Sequence, residues 1–163
     1  MNRTADPIKA ILTALIVAGT LDILAAFTQF YFMRGMNPVP VVLKYIASGV
    51  FGPGAMKGGA GMMLMGLLFH YVIVLGCVLV FYGSYPRLKI MRVNKWLTAV
   101  AYGLLVWVVT NLLIVPLSHV QRGPFKGNAA LIAMLILVGM IGIPITWIIG
   151  RHFDKSASSR GGR

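Results

Sequence analysis

Three residues of this sequence have side chains able to do chemistry in a place where polar groups are costly. Asp22, His70 and Asn111 each lie well inside a long apolar run. A carboxylate at mid-membrane costs about 2.5–3.5 kcal/mol even on a lenient insertion scale, so it calls for a partner or a function. Asp and His in transmembrane helices are typical of proton or cation relays. The same residues can serve as a buried hydrogen-bond clamp, since interhelical polar bonds are common glue in membranes. A ligand or cofactor site is a third use. Gln29 follows Asp22 along the same run, so the candidate buried polar cluster is Asp22, His70, Asn111 and Gln29.

Other chemistries fit less well. Bis-His haem needs two histidines at similar depth. His119 comes out about 15 Å shallower than His70, and His152 falls beyond the opposite end of its run. Hydrolysis lacks a Gly-x-Ser-x-Gly elbow, and Ser118 beside His119 proves little because adjacent helical residues point apart. The single cysteine, Cys77, allows no internal disulfide and no thiolate metal site. Lys57-Gly58-Gly59 has no following Ser or Thr and makes no phosphate-binding loop. The sequence therefore calls for no catalytic residue, metal or cofactor, and a non-enzymatic role is expected.

The runs that must position these residues dominate the composition. Hydrophobic residues make up 58% of the 163 and charged ones 11%. A soluble domain carries about 25% charge. Apolar runs cover about residues 8–33, 60–82, 96–117 and 129–149, each near the length of a membrane-crossing helix. None shows the period-two alternation of a barrel strand. The first is too long for a signal-peptide core and is expected to stay as a span. The expected fold is an all-α membrane protein of four transmembrane helices: a domain over 1–154, with 155–163 as a disordered basic cytoplasmic tail.

The connection after the first span is more than a loop. Asn37 and Pro38 can cap and start a helix. Val39, Val42, Leu43, Ile46, Val50 and Phe51 then recur at helical spacing. A short amphipathic or re-entrant helix between helices 1 and 2 is expected, packed over the bundle or lying at the membrane surface. Small and polar residues share helix faces: Ala14, Ala18, Asp22 and Ala26; Gly66 and His70; Gly103 and Asn111; Gly142, Thr146 and Gly150. Small residues let helices approach, so these stripes are expected to face inward. Asp22 and His70 come out about 16 and 15 Å deep, which allows a pair. Pro116 and Pro144 are placed to end or kink their helices.

Charge sets the orientation. Lys and Arg number 15 against three acids, Asp6, Asp22 and Asp154. Ten of the 15 flank the termini and the middle loop, which puts both termini in the cytoplasm. Arg87, Lys89, Arg92 and Lys95 form a membrane-surface basic group facing acidic headgroups. A net charge of +12 distributed between apolar runs speaks for lipid and against nucleic acid.

Leu21-Asp22-Ile23, Ile46-Ala47-Ser48-Gly49-Val50-Phe51-Gly52, Gly66-Leu67-Leu68-Phe69-His70-Tyr71 and Val115-Pro116-Leu117-Ser118 resemble stretches of small, uncharacterised bacterial inner-membrane proteins. The resemblance runs from about Leu21 to Pro144. It implies four spans and a bacterial inner membrane, and carries no activity. The expectation is a small integral membrane protein acting as an accessory subunit or homo-oligomer. The alternative is a small transporter or channel with a proton or cation path through Asp22, His70 and Asn111.

Overall fold

The structure, a computed structural model, describes residues 6–88, 90–120 and 127–161, the last three for their backbone only. Among them the fold is all-α. Four helices are long and apolar enough to cross a membrane: Pro7–Arg34, Ala60–Ser84, Lys95–Leu117 and Gly127–Ser158. The shorter apolar helix Pro38–Phe51 joins the first two. This is the architecture expected from the apolar runs and from the Asn37-Pro38 start. Ala60–Ser84 has 25 residues. At 1.5 Å per residue it rises about 37 Å, enough for a hydrocarbon core of about 30 Å.

We label the helices α1 (Pro7–Arg34), α2 (Pro38–Phe51), α3 (Ala60–Ser84) and α4 (Ile90–Val93). The third span joins α5 (Lys95–Val109) to α6 (Val115–Leu117). The fourth joins α7 (Gly127–Leu137) to α8 (Ile143–Gly161). Starts follow capping chemistry. Asp6 accepts from the amides of Ile8 and Lys9 ahead of α1, Asn37 from Val39 ahead of α2, and Asn94 from Trp96 and Leu97 ahead of α5. Gly35, at φ 65°, closes α1 in the left-handed conformation that glycine adopts without strain.

The spans form a bundle in which α1 lies between α3 and the fourth span, and α5 packs on the fourth span. Its centre is built from Ala14 and Ala18 of α1, Val78 and Phe81 of α3, Tyr102 of α5 and Ile145 of α8. Most apolar surface instead faces outward, as a lipid solvent allows. The third span is the least enclosed: 17% of its apolar window is buried, against 28% for each of the others.

The expected small stripes mark the closest contacts. A Cβ on Gly103 would sit 2.4 Å from Val138 Cα, and one on Gly142 would sit 2.2 Å from the Ala99 carbonyl oxygen. The third and fourth spans thus touch backbone to backbone. Each span also contains a π turn, Thr110–Ile114 and Val138–Gly142. In each case a proline stands two residues on, Pro116 or Pro144. Proline lacks an N–H, and its ring collides with the carbonyl four residues back, here that of Leu112 or Met140. Widening the preceding turn accommodates the ring without breaking the span.

Helix α2 is bound into the bundle by the face carrying Leu43, Ala47 and Ser48, all buried. A Cβ on Gly66 would lie 1.9 Å from the Leu43 carbonyl oxygen. Gly66 is about 9 Å along α3 from its first residue, so α2 meets α3 below the rim of the bundle. The chain after α6 ties in here too, through His119 N donating to the Gly49 carbonyl at 3.0 Å.

The stretch from Lys155, expected from its composition to be disordered, continues α8 as far as Gly161. Extending an established helix fixes one residue per new hydrogen bond and avoids the cost of nucleation. Ser156 and Ser158 return their hydroxyls to the carbonyls of His152 and Asp154.

Candidate functional site

His70 sits on the seam between α1 and α3. His70 is 7% exposed. Its Nε2 lies 2.8 Å from the Gly19 carbonyl oxygen. A carbonyl only accepts, so Nε2 carries the proton and donates. Beside it, the Thr20 and Tyr71 hydroxyls are 2.9 Å apart. Gly19 makes this seam possible, because a Cβ there would fall 2.7 Å from Tyr71 Cε1. Two consecutive residues of α1, Gly19 and Thr20, therefore meet two consecutive residues of α3, His70 and Tyr71.

Asp22 is one turn further along α1, half-buried and within electrostatic reach of His70 and Cys77. It forms no ion pair with His70; the ion pair present among the described residues is Lys95 Nζ to Asp154 Oδ2 at 2.6 Å. The other two members of the expected cluster bond elsewhere. Asn111 Nδ2 donates to the Trp107 carbonyl of its own helix at 3.0 Å. Gln29 Nε2 donates to the Ala129 carbonyl at 3.3 Å, linking α1 to α7. The structure thus brings His70 to α1 and sends Asn111 and Gln29 to separate partners. Sequence reasoning passed over Gly19, Thr20 and Tyr71. Their adjacency to Asp22 and His70, a small residue and two hydroxyls at one depth, was the available signal.

This arrangement suits holding better than conducting. A histidine that relays a proton takes it on one ring nitrogen and releases it from the other. His70 has committed Nε2–H to a backbone carbonyl, which cannot take up the proton. Two grooves bypass the seam. One of about 550 Å³ between α1 and α7 is lined by residues such as Leu21, Gln29 and Ile132, and one of about 330 Å³ between α3 and α5 by Cys77, Tyr102 and Val106; neither includes Asp22 or His70. Among the described residues no group of three or more His, Cys, Asp or Glu is placed to hold a metal ion.

At the opposite end from α2, the basic residues are individually engaged. Arg87 donates to the Gly83 carbonyl. Arg92 reaches the Pro86 carbonyl at 3.5 Å and lies 5.9 Å from the Tyr85 ring centre. Lys95 holds Asp154. Lys89 lies outside the described residues. Tyr85 is fully buried, and its hydroxyl has no hydrogen-bond partner among the described residues. Burial pushes that phenol up, as does Asp154, with Lys95 and Arg92 acting in the other direction.

Fold and seam together define a small multi-span membrane protein, a helical bundle in contact with the lipid bilayer. No family model matches the chain, and comparison with curated proteins and with solved structures also finds no match.

Proposed function

We propose that this chain is a non-enzymatic membrane protein that acts through contact, as an accessory subunit or as a homo-oligomer. Both termini then lie in the cytoplasm of a bacterium, with the bundle in the inner membrane. The observation carrying this reading is the His70–Gly19 hydrogen bond, which uses the one buried imidazole as a clamp between α1 and α3. The placement of Gln29 supports it: its amide bonds the Ala129 carbonyl, whereas a path for protons or cations needs its polar groups in series. The open third span supports the contact role: its apolar surface is largely unclaimed by the chain itself.

The test is His70→Leu, a replacement that keeps bulk and removes the donor. An interhelical polar bond is worth about 0.6–2 kcal/mol in a membrane. Thermal unfolding in detergent is expected to show a loss of that size, with cross-linked oligomers in native membranes unchanged in size. Unaltered stability in His70→Leu would contradict the clamp.

A further inference from the structure

We propose that the cavity at the basic end of the bundle is a binding site for the phosphate of an acidic phospholipid. The cavity measures about 580 Å³ and lies where the start of α1, the end of α3, α4 and α8 converge. Its polar lining comes from Arg92, His152, Ser156 and Tyr82, and its apolar walls include Pro7 and Phe153. Among the described residues no carboxylate lines it. The two acids nearest along the chain are both engaged: Asp6 accepts from the Ile8 and Lys9 amides, and Asp154 is held by Lys95 at 2.6 Å. The Arg92 guanidinium is exposed and has a carbonyl and a ring for neighbours, and it forms no ion pair among the described residues.

Such a cavity selects an anion, and an arginine fork matches phosphate oxygens with paired N–H donors. Position selects the source. Tyr82 and Pro86 straddle the end of the second span at Ser84, so the cavity sits at headgroup level. Aromatic and apolar walls there suit an amphiphile, with its phosphate against Arg92 and its glycerol and upper acyl chains along Tyr82 and Phe153. Basic pockets between spans are where acidic headgroups bind. The Tyr82 hydroxyl and His152 Nε2, 3.3 Å apart, supply further polar atoms beside the cationic one.

The experiment is native mass spectrometry of the full chain in detergent, titrated with phosphatidylglycerol or with phosphatidylcholine of the same acyl chains. The wild type is expected to take up one phosphatidylglycerol in preference to phosphatidylcholine. Arg92→Gln is expected to weaken that uptake about tenfold, the scale of one charge-assisted contact. Arg92→Lys, which keeps the charge and loses the fork, is expected to fall between the two. Arg87→Gln, exposed and outside the cavity, is expected to bind as the wild type does. Because Arg92 lies on the surface, matching circular dichroism spectra are expected for all forms. Equal uptake of the two lipids would overturn the proposal. So would equal losses in Arg87→Gln and Arg92→Gln, which would reduce the effect to general surface charge. Displacement of the lipid by millimolar inorganic phosphate would also overturn it, assigning the cavity to a soluble anion.

Discussion

Gly142→Val is expected to pry the third and fourth spans apart. The first added carbon alone would lie 2.2 Å from the Ala99 carbonyl oxygen and 3.2 Å from the Gly103 amide nitrogen. Both neighbours are backbone atoms of α5, and no rotamer change can move them aside. The third and fourth spans must therefore separate. Separation also pulls Val138 from Gly103, where the clearance for a Cβ is 2.4 Å. In lipid the association of helices rests largely on such packing, because tails are as apolar as the side chains they replace. Overpacking costs about 1–3 kcal/mol in well-packed cores, and a rigid backbone contact belongs at the upper end. Thermal unfolding in detergent should show that loss. The smaller Gly103→Ala and Gly142→Ala should each destabilise, and the double variant should lose less than the sum. Once one methyl has parted the helices, the second finds room. Strict additivity would mean that the two glycines do not share one contact.

Gly66→Val is the second, and its effect is local. The new Cβ would meet the Leu43 carbonyl oxygen at 1.9 Å and its carbon at 2.7 Å, so α2 must lift from α3 while the four spans remain assembled. Ala47, fully buried on the inner face of α2, provides the readout. In a Cys77→Ala background, Ala47→Cys should react slowly with a soluble maleimide, and Gly66→Val should speed the reaction. A penalty of about 1–3 kcal/mol corresponds to a reaction about 5-fold to 150-fold faster, if α2 opens as a unit. Unchanged labelling would show that α2 does not depend on the Gly66 contact.

Much of this architecture was readable because membrane helices obey few rules. Long apolar runs had to be helices, and the small residues at Ala14, Ala18, Gly103 and Gly142 had to be where those helices met. Asn37 and Pro38 announced α2 by their capping chemistry. The polar seam was harder. Depth along a helix follows from counting residues, which put Asp22 and His70 level with each other. Rotation about the helix axis does not, and it decides that His70 reaches the carbonyl exposed at Gly19. Gln29 escaped for a related reason: an amide can bond a backbone carbonyl of another span, here that of Ala129, and carbonyls leave no mark in the pattern of side chains. The prolines at 116 and 144 foretold irregular helices, but a π turn and a kink are equally good responses to a missing N–H. The helical run to Gly161 was hidden because composition speaks for a segment in isolation, whereas α8 supplies it with a ready-made nucleus.

On the proposed reading the buried polar residues hold the bundle together and conduct nothing. Proton flux into liposomes containing the purified full chain, read by an internal pH-sensitive dye under an imposed gradient, tests this most directly. Wild type and Asp22→Asn are both expected to match empty liposomes. A flux through the wild type that Asp22→Asn abolishes would contradict the claim and place Asp22 on a conducting path.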